Sequence, residues 1–221
     1  MKVSKNRDVA FTPALGRAEL TGLYDLAVKF LTREHIWRAA LLAQLAPHDG
    51  ESIIDVGCGT GTFAILVKKA APKARIVGLD PDPKALALAA TKAAADGIDI
   101  EWRHGFARDT ADAGAAFDKI VTSLMFHQVP LSEKRAGLEA MFGALRPDGE
   151  LHVADYAHQS DQTMRRLFRL TVQCLDGLED TQPNADGVLE DLMSELAENR
   201  VSPRTVVRTI TGAISLFRIE K

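Results

Sequence analysis

The segment Ile53-Ile54-Asp55-Val56-Gly57-Cys58-Gly59-Thr60-Gly61-Thr62 constrains this chain more than any other. A short apolar run, ending around an acid, is followed by three glycines at alternate positions. The run reads as a buried parallel strand. The glycines let the backbone turn tightly and lie close to a ligand, and Thr62 opens a helix. Strand, glycine turn and helix together make a nucleotide-type cradle at the carboxyl end of a sheet.

The rest of the chain repeats this alternation. Strands are expected at 52–56, 75–79, 98–103, 119–123 and 150–155, with helices at 62–71, 83–96 and 132–145 between them. Such alternation implies a parallel sheet with helices on both faces. Residues 20–45 are helical in pattern, with a second helix from about residue 33. After residue 155 come two helical segments, 162–176 and 187–198, and Asn199 can cap the second. Strands at 205–209 and 213–219 are joined so tightly that they must be antiparallel. The expected fold is α/β: a Rossmann-like, seven-stranded, mostly parallel sheet closed by a C-terminal antiparallel hairpin. Residues 1–221 read as one domain, with an N-terminal helical segment (1–48) and a helical insert (157–203) as a partial lid.

The glycine spacing is G-x-G-x-G, and Thr62 stands where the dinucleotide fingerprint has its third glycine. Asp55, just before the loop, would repel a pyrophosphate. It suits a ligand that carries an ammonium and a sulfonium, as S-adenosylmethionine does. The second strand runs Arg75-Ile76-Val77-Gly78-Leu79 into Asp80, where an acid meets ribose hydroxyls in such folds. A lone acid there is often only a helix cap, and Pro81 and Pro83 fit a cap-like start.

Four motifs in order carry a resemblance: D-V-G-C-G-T-G at 55–61, V-G-L-D at 77–80, F-D-K-I-V at 117–121 and L-R-P-D-G-E-L at 145–151. From about Leu20 onward the chain resembles the class I S-adenosylmethionine-dependent methyltransferases. It looks most like their small-molecule branch of ubiquinone/menaquinone-type and natural-product enzymes. The resemblance implies S-adenosylmethionine as cofactor and S-adenosylhomocysteine as product. It implies cofactor contacts from Tyr24, Asp55, Gly57, Cys58, Gly59, Gly61, Asp80, Pro81, Phe106, Ala107, Ser123 and Leu124. Phe106 departs from the family's pattern of an Asp that accepts from the adenine amino group. Backbone groups of Phe106 and Ala107, or the Phe106 ring, are left to read that edge. His127, in the loop after the fourth strand, is the candidate general base, weighed evenly against a structural histidine.

Charge is near balance, with 27 basic and 30 acidic residues giving −3, so no basic surplus points to nucleic acid. No apolar stretch is long enough to span a membrane, and the first residues lack a signal-peptide core. Cys58 and Cys174 make neither a disulfide framework nor a zinc site, and no metal is expected. The expectation is a cytoplasmic enzyme, EC 2.1.1.-, that methylates oxygen, nitrogen or carbon of a small organic acceptor, with a homodimer left open. The alternatives are a cofactor-binding protein without transfer activity and a methyltransferase acting on RNA or protein. A nicotinamide dehydrogenase is disfavoured by the glycine spacing and by Asp55.

Overall fold

The computed structural model describes residues 33–113 and 116–221. In chain order the elements are α1 (Glu34–Leu45), β1 (Ser52–Val56), α2 (Thr62–Ala70), β2 (Arg75–Asp80), α3 (Pro83–Ala95), β3 (Glu101–His104), β4 (Phe117–Ser123), α4 (Leu131–Ala144) and β5 (Leu145–Tyr156). Four short helices follow: α5 (Gln162–Leu170), α6 (Val172–Asp176), α7 (Leu178–Asp186) and α8 (Val188–Leu196). The hairpin β6 (Thr205–Thr209) and β7 (Gly212–Glu220) ends the chain. Two 3-10 turns, Ala107–Ala113 and Phe126–Gln128, follow β3 and β4.

The seven strands form one sheet in the order β3-β2-β1-β4-β5-β7-β6. Strands β1 to β5 are parallel, and β7 runs antiparallel between β5 and β6. The order reverses between β1 and β4, so the carboxyl ends of β1 and β4 diverge into a crevice.

Strand periodicity decides what faces each side. Ile53 and Ile76 point into the layer built on α1 and α2, with Trp37, Leu41 and Phe63. Ile54, Val56, Val77 and Leu79 point to the opposite layer, with Phe126, Leu138 and Met141 of the α4 side. The same alternation sends Asp55 toward the α1 face. In α1, Trp37, Leu41 and Leu45 are fully buried at intervals of one turn, which fixes the helix on the sheet.

The structure departs from the sequence-based expectation at several places. The Arg146-Pro147-Asp148-Gly149 turn lies inside β5 as an irregularity in its pairing with β4, with Asp148 at φ 63°. Strand β3 begins at Glu101 instead of residue 98, because Gly97 (φ 65°) lets Ile98 N–H return to the Ala93 carbonyl and finish α3. The segment 162–176 breaks at Thr171, whose hydroxyl bonds the Leu167 carbonyl at 2.7 Å. Helix α7, which contains Pro183, lies between the two helical segments expected at 162–176 and 187–198. The left-handed residue after α8 is Glu198 (φ 51°), not Asn199. No helix among the described residues is long and apolar enough to cross a membrane.

Packing at β2 is close. A Cβ at Gly78 would lie 2.4 Å from Trp102 Cζ3 and 3.0 Å from Cys58 Sγ. Gly78→Ala is therefore expected to cost about 1–3 kcal/mol of stability through overpacking. Trp102→Leu in the same chain should recover part of that loss. Chemical denaturation checks both, and a change in Gly78→Ala below about 0.5 kcal/mol would show that the ring yields freely.

Candidate active site

The glycine loop after β1 is folded onto the end of β2. Gly57 and Cys58 N–H both donate to the Leu79 carbonyl, at 2.8 and 3.1 Å. Gly59 N–H donates to Asp80 Oδ2 at 2.7 Å, and Gly61 N–H to the Cys58 carbonyl at 2.9 Å. The loop glycines all take positive φ, as this path requires. Lys92 of α3 ties the loop down from outside, donating to the Thr60 carbonyl (2.7 Å) and the Thr62 hydroxyl (2.8 Å). A phosphate cradle needs N–H groups directed at the ligand. Here the N–H groups of Gly57, Cys58, Gly59 and Gly61 are bonded within the protein.

Asp80 is not the cap of α3. Asp82 is, accepting from Lys84 N–H at 2.8 Å with Pro83 in the first turn. Asp80 Oδ1 accepts from Asp82 N–H at 2.8 Å, and each Asp80 oxygen keeps a further lone pair toward the cavity it lines. Burial raises its pKa.

Asp55 lies beneath the loop, 2 % exposed, and neither of its oxygens has a hydrogen-bond partner. Burial raises its pKa to about 7, against the pull of the nearby Arg38 guanidinium. Arg38, on α1, pairs with Glu34 at 2.6 Å and lines the cavity, with its Nε left unpartnered. A buried acid with open acceptors and a guanidinium beside it provide for a zwitterion carrying both an ammonium and a carboxylate.

Of the expected residues, Gly57, Cys58, Gly59, Asp80, Pro81, Phe106, Ala107, Ser123 and Leu124 line this one cavity. Asp55, buried within β1, does not, and neither does Gly61. A Cβ at Gly61 would strike Trp102 Cη2 at 2.5 Å and Ala89 Cβ at 2.7 Å, so this glycine serves packing and its φ of 72°. Tyr24 lies outside the described residues. Phe106 N–H is bonded to Asp109 Oδ2 at 2.7 Å, and the Phe106 ring faces Arg108 at 4.5 Å. Wall residues that the sequence did not assign to the cofactor include Arg38, Met125, Gln128 and Glu133. Arg38 and Glu133 come from helices distant in sequence from the glycine motif, and no local pattern marks them.

His127 is buried under the loop that follows β4 and is not part of the cavity wall. Its Nδ1 lies 2.7 Å from Asp155 Oδ1 and its Nε2 3.6 Å from Asp176 Oδ2 on α6. Burial works against a charged ring, but the two carboxylates win and raise its pKa to about 9. In this structure His127 ties the loop after β4 to β5 and to α6, and it does not reach the cavity in which a general base would act. Asp155 also accepts from Phe126 N–H (2.7 Å) and Tyr156 N–H (2.8 Å). Lys134, fully buried on α4, donates to the carbonyls of Phe126 (2.6 Å), Val129 (2.5 Å) and Asp180 (2.9 Å). Burial lowers its pKa to about 8. The insert thus braces the loop at 126–129, and none of its described residues lines the cavity.

Comparison with known proteins agrees with this geometry. Residues 53–149 match the family model described as a methyltransferase domain. The chain is 32 % identical over 158 residues to the demethylmenaquinone methyltransferase of Deinococcus radiodurans, covering 71 % of this chain and 65 % of that one. It therefore spans just under two thirds of that relative's length. The corresponding enzyme of Thermus thermophilus is 29 % identical, with 71 % of each chain covered. Residues 53–149 are thus similar to methyltransferase domains, and the longer matches are to demethylmenaquinone methyltransferases. Among solved structures, a geranyl diphosphate C-methyltransferase from Streptomyces coelicolor, bound to S-adenosyl-L-homocysteine, superposes with TM-score 0.64 at 14 % identity over 95 % of this chain and 86 % of that one. A SAM-dependent methyltransferase from Aquifex aeolicus superposes with TM-score 0.60 at 17 % identity over 90 % and 94 %. At these identities the likeness is one of fold.

For this chain, His127 yields a pH test. Its folded pKa lies above the usual value near 6.5, so its contribution to stability is full below about pH 6.5 and is lost as pH rises through 9. His127→Asn should cost about 3 kcal/mol at pH 6.5 by leaving Asp155 buried without its partner. The gap between variant and parent should narrow by pH 9.5. Denaturant unfolding across this range measures it, and a pH-independent gap would remove the ion pair from the account.

Proposed function

We propose that this chain transfers a methyl group from S-adenosylmethionine to a small, largely apolar organic acceptor of the quinone-biosynthesis type. The observation that carries the cofactor reading is the glycine loop, whose Gly57, Cys58, Gly59 and Gly61 N–H groups are internally bonded above an unpartnered Asp55 carboxylate. That arrangement refuses phosphate and favours a cation. Residues that would hold the cofactor are Asp80 at the ribose hydroxyls, Arg38 at the amino-acid end with the buried Asp55 acting from behind the cavity wall, and Pro81 against the base. When bound, the cofactor supplies an electrophilic methyl on a sulfonium.

The protein's own task is then alignment and exclusion of water. Leu124, Met125, Val129 and Pro130 give the cavity an apolar wall. Among the described residues, the ionisable side chains on the cavity wall are Arg38, Cys58, Asp80 and Glu133, and burial pushes the Cys58 thiol far up. A neutral thiol is a poor proton acceptor. The acceptor accordingly brings its own nucleophilic atom, as an electron-rich aromatic ring or an acidic hydroxyl does. The names of the demethylmenaquinone relatives support the same class, and near-balanced charge supports a small acceptor over nucleic acid. Two cysteines outside any disulfide are consistent with a reducing, cytoplasmic setting.

Calorimetry with S-adenosylhomocysteine and with NAD tests the reading. Binding of the first alone is expected, and binding of NAD alone would overturn it. Asp80→Ala should weaken cofactor binding at least about tenfold, since hydrogen bonds to a charged acceptor are lost. Unchanged affinity would remove Asp80 from the ribose. Because the Asp55 pKa is about 7, S-adenosylmethionine should bind more tightly as pH rises from 6 to 8, and Asp55→Asn should flatten that rise. Cofactor binding with no transfer to phenols, amines or quinol-like carbons would favour a binding-only protein.

A further inference from the structure

Glu133 is a charged member of the cavity wall that the cofactor contacts above leave unused. The strand order places the possible contacts in space. The glycine loop follows β1, Asp80 ends the neighbouring β2, and Phe106 and Ala107 follow β3 at the sheet's edge. With the amino-acid end at the loop and the ribose at Asp80, the base lies toward the β3 end.

Helix α4 closes on that end. A Cβ at Gly137 would lie 2.9 Å from the Ala107 Cβ, so the glycine lets the helix come down on Ala107. Glu133 is one turn earlier on the same helix face, which carries its carboxylate to the cavity beside Phe106 and Ala107. Its Oε2 accepts from Arg108 Nη1 at 2.6 Å, and that guanidinium stands over the Phe106 ring at 4.5 Å. Ring, guanidinium and carboxylate form one continuous frame. Phe106 offers no side-chain acceptor, and its N–H is taken by Asp109.

We propose that Glu133 reads the base of the cofactor: its carboxylate accepts a hydrogen bond from the exocyclic amino group of adenine, while Arg108 fixes the carboxylate's orientation. This rests on the S-adenosylmethionine reading above. A 6-oxo base such as hypoxanthine turns a carbonyl lone pair toward the same carboxylate and is refused, because neither group can donate.

The test is calorimetry of the full chain with S-adenosylhomocysteine and its deaminated analogue S-inosylhomocysteine. The parent protein should prefer the adenine compound by about 10- to 100-fold. Glu133→Ala should bring the ratio toward one. Glu133→Gln supplies an amide N–H that can donate to the 6-oxo group, so it should raise affinity for the inosine compound above the parent's. A merely structural loss would weaken both compounds together. An unchanged ratio in both variants overturns this inference alone. Failure of the parent chain to bind either compound overturns the cofactor reading, and this inference with it.

Discussion

The Leu79 carbonyl and the Asp80 carboxylate hold the glycine loop against the end of β2. The cavity depends on this contact. Because these two acceptors take the N–H groups of Gly57, Cys58 and Gly59, the loop cannot act as an anion nest. Asp80 is itself fixed by Asp82 N–H, so its remaining lone pairs have defined directions. Asp82 does the helix capping that would otherwise have occupied Asp80. The division of labour between two acids two residues apart frees one of them to face a ligand.

A second set of interactions organises the other half of the crevice. Asp155 ends β5 and gathers the loop after β4 through Phe126 N–H and His127. Lys134 takes two further carbonyls of that loop and one from α7. The insert is joined to the same group by Asp176, and by Asn184, whose amide donates to the Tyr156 carbonyl at 2.7 Å. Buried charges of both signs and strong backbone acceptors satisfy each other here, which makes the arrangement cooperative.

The sequence made the local units legible and left their assembly hidden. Strand β1, the glycine turn and α2 could be read because their signals lie within ten residues of one another. Asp80 could be read because its offset from the loop follows from one crossover. The final hairpin could be read from its short connection. Arg38 and Glu133 could not, since helix packing, not spacing, carries them to the cavity. His127 could be read equally as base or as structural histidine, because its partners, Asp155 and Asp176, lie far along the chain. The Arg146–Gly149 segment has the chemistry of a turn, and β-pairing on either side drew it into β5 as an irregularity. In α7, which contains Pro183, the buried Thr181, Asn184 and Ala185 repay a short helix by packing.

The ammonium of Lys134, held by three carbonyls and facing no bonded carboxylate, has a consequence for the walls of the crevice. Each such bond is worth about 1.5–3 kcal/mol when its donor is charged. At the opposite rim, the Arg108–Glu133 pair is partly open to water, and such pairs contribute about 0–1 kcal/mol. The two walls therefore differ in how readily they yield. One is soldered and the other only latched, so freeing Glu133 from Arg108 costs less than drawing Lys134 off its carbonyls.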